Sequence, residues 1–203
     1  MILAPIRLFE FEIVPRSPRV FALSIGMSLV FVCMAIFLEP FDLMIFKGEI
    51  AFFGNLNLFI WITSGSLLFG ITGALLIANV NPLFSIISNA NPLAPLWFIE
   101  NTLNGLLMIA VLKWLKAGEK EITYRQFILA GLVSSLGLVP EVMAIPIYFQ
   151  KGIETILAAV FLDVVAVIVG STLGFFLSRW LINGQLVGSE LPERSSMKFW
   201  YPV

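Results

Sequence analysis

The chain has 203 residues, of which 59% are hydrophobic and 12% charged, with a formal net charge of −1 and no histidine; its mean hydropathy is +0.98. Soluble domains carry roughly 25% charged and 45–50% apolar residues, so this composition excludes a soluble enzyme, a disordered chain and a nucleic-acid binder, and describes an integral membrane protein. Without histidine there is no His-based triad, imidazole metal site or His-ligated haem, and the lone Cys33 forms neither an internal disulfide nor a thiolate cluster.

A bilayer core of about 30 Å asks for roughly 20 apolar residues per helix. After an N-terminal arm, residues 1–19, the first such run is Val20–Leu38, uncharged between Arg19 and Glu39. It lacks an A-x-A cleavage site and reads as a retained span. Ile50–Ser88 then continues for 39 residues without a charge, too long for one helix and suited to two, with the break at Phe69-Gly70-Ile71. Leu93–Leu115, Phe127–Ile147 and Ile153–Leu181 complete six spans within residues 20–182, followed by a polar tail, residues 183–203.

Charge tests the parity. Six spans put Arg7, Arg16, Arg19, Lys113, Lys116, Lys120, Arg125, Arg179, Arg194 and Lys198 on one side, leaving only Lys47 and Lys151 of the 12 basic residues on the other. The positive-inside rule makes the first side cytoplasmic. The expected fold is therefore an all-α, multi-pass bundle of six transmembrane helices in the cell membrane, with both termini cytoplasmic.

Polar groups at membrane depth are costly and mark function. Here they gather in the outer halves and outer loops: Asn79, Asn81, Asn89, Asn91, Trp97, Glu100, Asn101, Asn104, Glu141, Tyr148, Gln150, Glu154 and Asp163. On the fourth span Trp97, Asn101 and Asn104 recur at i, i+4, i+7, with Glu100 one turn from Asn104, which aligns them on one stripe. Glu141, just after Pro140, reaches a similar depth from the fifth span, and Asp163 lies about three turns into the sixth. A Pro- and Asn-rich stretch from Asn81-Pro82 to Pro95 suits a loop over a cavity mouth or a plain connector. Other roles compete for several residues. Trp97 and Tyr148 also suit an interfacial aromatic belt, Asn79 and Asn81 helix-to-helix hydrogen bonds, and Glu154 a helix dipole. Asp163 equally suits a hydrogen bond to a neighbouring helix.

Small-residue spacings mark helix contacts: Ala22-x3-Gly26 and Ser24-x3-Ser28 on the first span, Gly70-x3-Ala74-x3-Ala78 on the third, Gly170-x3-Gly174 on the sixth. Phe21, Leu29, Phe31, Ile36 and Phe37 read as the lipid-facing side of the first span.

Phe53-Gly54-Asn55 and Leu67-Leu68-Phe69-Gly70-Ile71-Thr72-Gly73-Ala74-Leu75, with Asn104-Gly105-Leu106, Gly170-Ser171-Thr172-Leu173-Gly174 and Arg179, give an order of features that resembles the substrate-binding S components of energy-coupling factor vitamin transporters. The resemblance spans most of residues 20–182. It implies a six-helix fold, a small-molecule pocket in the outer half beneath outer loops, no cofactor and no nucleotide site. It also implies partners: a transmembrane coupling subunit, docked on the first helix, and ATPase subunits. The family's docking pair there is Ala-xxx-Ala; here it is Ala22-x3-Gly26. The metal-binding branch uses histidine ligands, which this chain lacks.

The expected function is thus non-enzymatic capture of a small water-soluble, vitamin-like nutrient. The expected pocket residues are Asn91, Trp97, Glu100, Asn101, Asn104, Glu141 and Tyr148, and the expected docking residues Ala22 and Gly26, with no metal site. Trp97, Glu100 and Glu141 in one pocket favour a cationic or aromatic-amine substrate. No Gly-Lys-Ser/Thr phosphate loop is present, so ATP chemistry belongs to partners. The alternative is a non-catalytic scaffold subunit of a respiratory or photosynthetic membrane complex, its arm and its Phe199-Trp200-Tyr201 tail clasping neighbours. No Asp-x-x-Asp, His-Glu-x-x-His or Gly-x-Ser-x-Gly pattern supports an intramembrane enzyme.

Overall fold

A computed structural model describes residues 6–7, 18–88, 93–115 and 121–183. Six helices, α1 (Pro18–Phe46), α2 (Phe52–Ile87), α3 (Ala94–Trp114), α4 (Tyr124–Ser134), α5 (Val139–Tyr148) and α6 (Ile153–Asn183), account for almost all of them. Two two-residue strands, β1 (Ile6–Arg7) and β2 (Glu121–Ile122), pair antiparallel. Five helical rods are long and apolar enough to cross a membrane, with α4 and α5 together forming one of them.

The burial pattern is that of a membrane protein. Ile36 and Phe37 are 66% and 73% exposed, whereas Glu100 and Glu141 are 2% and 3% exposed. Exposed aliphatic and aromatic side chains cover α1 and α6, as lipid-facing helices require.

α2 is the centre, packed on α1, α3 and α6. It is two helical arms. At Gly70 the backbone leaves helical space (φ 62, ψ −144), a conformation natural only to glycine. The arms then return alongside one another: a methyl group on Gly65 would meet Gly73 O at 3.2 Å and overlap the Ile77 side chain. Residues five before and three after the break touch, so the expected split at Gly70 is present as a hairpin. α6 lies as tightly on the first arm. A Cβ on Gly170 would sit 2.8 Å from Leu56 O, and one on Gly174 2.7 Å from Ile60 O, so the Gly170-x3-Gly174 spacing is a true contact seam.

Three expectations change in detail. α1 does not end at Leu38 but runs through Glu39, Pro40 and Asp42 to Phe46, closing in left-handed turns at Lys47 (φ 56) and Gly48 (φ 75). The expected fifth span, the α4–α5 rod, is interrupted by a 3₁₀ turn, Ser135–Leu138, because Pro140 has no N–H for a carbonyl one turn back and its ring crowds that turn. On α1 the small pair is not opposite the lipid face. Ala22 and Gly26 are exposed, on the side of Phe21 and Leu29, while Ser24, Ser28 and Phe31 are buried.

Candidate functional site

The sequence elements above deliver their polar side chains to one end of the bundle, around a cavity of about 470 Å³. Among the described residues, four carboxyl groups belong to its wall, Glu39, Asp42, Glu100 and Glu141, and one basic residue, Lys47, which is exposed. Trp97, Tyr148, Phe149 and Phe31 supply aromatic surface.

The deep wall is built from α2, α3 and α5, with Asp163 of α6 behind it. Asn55, in the first turn of α2, donates from Nδ2 to Asp163 Oδ1 of α6 at 2.9 Å and to Glu141 Oε2 of α5 at 3.4 Å. Trp97 of α3 donates its indole N–H to Glu141 Oε1 at 3.0 Å. Glu100, one turn further along α3, faces Glu141 at side-chain hydrogen-bonding range, yet its Oε2 is buried with no hydrogen-bond partner. Three acids from three helices thus converge on neutral donors alone. Grouping carboxylates away from water without cations costs several kcal/mol per uncompensated charge, so this arrangement is expensive unless shared protons or a ligand complete it.

The shallow wall comes from α1. Asp42 accepts the Phe53 and Gly54 backbone N–H groups at 2.8 and 2.9 Å. It caps the start of α2, whose N-cap position, Ala51, has no side chain able to do so. Glu39 accepts from Asn81 Nδ2 at 2.8 Å, tying α1 to the far end of the second α2 arm. At the rim, Glu49 and Lys151 form an ion pair of 2.8 Å across the α1–α2 and α5–α6 connections.

Of the expected pocket residues, Trp97, Glu100, Asn101, Glu141 and Tyr148 meet in this wall. Asn101 also donates to Ala78 O at 2.7 Å, fixing α3 to the second arm of α2, and Tyr148, 60% exposed, stands at the mouth. Asn91 lies outside the described residues. Asn104 is not among the residues that line the cavity; it is wholly buried, its amide atoms unpaired. It fills the space left by Gly137, where any Cβ would overlap it. One helical turn carries it below the cavity into packing.

Sequence reasoning missed Asn55, Glu39 and Asp42. Glu39-x2-Asp42 carried a usable signal: an i, i+3 acid pair that puts both carboxyls on one helix face. Asn79 behaves as a helix-contact residue, donating to Leu75 O at 3.1 Å and accepting from Thr102 at 3.2 Å. Among the described residues no cluster of three acids or thiols has the arrangement of a metal site.

Comparison with protein-family models, with curated proteins and with solved structures gives no match.

Proposed function

We propose that this chain is a substrate-capture membrane subunit of the energy-coupling factor type, holding a small water-soluble nutrient for partner subunits that supply ATP hydrolysis. The observation that carries the reading is the carboxyl- and aromatic-walled cavity at one end of the bundle. Its volume falls in the roughly 300–1,000 Å³ range of small-molecule pockets. In this reading the wall holds a ligand and does not transform it.

In this reading the chain crosses the cell membrane six times and both termini are cytoplasmic. Two things support that parity. With the Gly70 hairpin counted as two crossings, four crossings separate β1 from β2, which returns them to the same side, where they pair. The basic residues Lys113 and Arg125 then lie at the β2 end and the acids at the other, as the positive-inside rule asks. The cavity opens outward, toward the nutrient. Ala22 and Gly26, exposed on α1, are the surface for a transmembrane coupling subunit.

Affinity purification of the tagged chain from native membranes tests the partnership. We expect a coupling subunit and ATPases to co-purify, and Ala22→Leu/Gly26→Leu to release them without unfolding the chain. Recovery of redox subunits instead would make the chain a scaffold of an electron-transfer complex.

A further inference from the structure

Resting on the reading of the cavity as a capture pocket, we propose that the Glu100–Glu141 pair is an ammonium-recognition site. The substrate class it takes is an organic amine that donates N–H bonds, in preference to a quaternary ammonium, a neutral molecule or an anion.

The argument starts from hydrogen-bond supply. Glu141 has its oxygens engaged by Trp97 and Asn55. Glu100 is 2% exposed, belongs to the cavity wall and keeps Oε2 unpaired. Glu100 and Glu141 face one another, so without a ligand the pair shares a proton; a cationic donor that displaces that proton engages both carboxyls, and the donors already present are neutral. A protonated primary amine supplies three N–H donors and one charge in a compact head. It can bridge the two carboxyls by charge-assisted bonds. A quaternary ammonium brings charge without donors and cannot replace the hydrogen bond that the shared proton makes between the two carboxyls.

The surroundings narrow the class further. A hard divalent cation needs about six or more oxygens, and among the described residues no three acids are arranged to hold one. The Trp97 ring shares the wall with the acids, where a cation gains from its π face. The cavity's volume of about 470 Å³ leaves most of its space for an organic body beyond the ammonium head, against apolar walls such as Leu58 and Ile145.

The test uses four probes on one scaffold: benzylamine, benzyltrimethylammonium, benzyl alcohol and benzoate, titrated into the purified full-length protein by calorimetry and thermal shift. Benzylamine should bind at least about tenfold more tightly than the other three, the difference a charge-assisted bond to a buried carboxylate makes. Glu100→Gln should abolish that preference while its own melting temperature stays at or above wild type, and Glu100→Asp should retain part of it. Equal binding of the trimethylammonium analogue would remove N–H donation from the account. Tighter binding of benzoate or benzyl alcohol, or an unchanged preference in Glu100→Gln, would overturn the ammonium site and leave the capture reading intact. No binding by these probes or by a panel of neutral and anionic nutrients would overturn both.

Discussion

The half of the bundle beyond the cavity buries hydroxyl groups and satisfies most of them on carbonyls of their own helix, with Ser171 Oγ left unpaired. Ser28 bonds Ser24 O at 2.8 Å, Ser66 bonds Ile62 O at 2.6 Å and Ser178 bonds Gly174 O at 2.8 Å. The cavity half buries carboxyls, draws them from α1, α3, α5 and α6 toward one another, and leaves Glu100 Oε2 without a donor. Small hydroxyls that fold back on the i−4 carbonyl need no partner helix, so backbones can close to glycine distance. Carboxyls cannot satisfy themselves on an accepting carbonyl, so they hold helices apart around a space. One half closes its helix seams to glycine distance; the other gathers buried carboxyls around a cavity.

Substitutions can break or sharpen that contrast. The largest effect is expected from Gly174→Val, which drives two methyl groups into Thr63, Ile60 and Ser64. Overpacking of such a seam should destabilise by about 3 kcal/mol or prevent folding, read by thermal unfolding in detergent. Asp42→Ala should cost about 1–2 kcal/mol by exposing the Phe53 and Gly54 N–H groups; Asp42→Asn, which keeps acceptor oxygen, should recover part of it. Asn104→Leu should go the other way and stabilise by about 1–2 kcal/mol, since it removes two unpaired buried polar atoms without touching the cavity wall. Ser64→Ala loses bonds to Ile60 O and Gly174 O and should cost about 1 kcal/mol. Lys151→Ala, at a half-exposed pair, should change stability by less than about 0.5 kcal/mol. If Ser64→Ala proved as damaging as Gly174→Val, the dry half would depend on its hydroxyls more than on its glycines.

Much of this was legible in the residues. An uncharged run of 39 residues with a central glycine implies two helices, because no single span needs that length, and Gly70 is where they part. The Trp97–Glu100–Asn101 stripe and Glu141 were legible because polar residues on an apolar helix must face something other than lipid. Depth was less legible than face. Asn104 continues the stripe by periodicity, and only Gly137, distant in sequence, decides that its place is packing. The wall formed by α1 escaped notice because Glu39 reads as the end of an apolar run. A helix can carry Pro40 and two acids outward when those acids meet Asn81 and the N-terminus of α2, and the apolar pattern of α1 alone does not encode that meeting. Asn55 is likewise an ordinary helix-start residue until Glu141 and Asp163 arrive beside it.

The most direct test of the central claim, an outward-facing cavity that captures a ligand, is labelling of single cysteines in a Cys33→Ser background with a membrane-impermeant maleimide. Tyr148→Cys at the mouth should label in intact cells and be protected by bound benzylamine, while Arg125→Cys should label only after lysis. The reverse sidedness, or labelling of Tyr148→Cys that no ligand slows, would contradict the account.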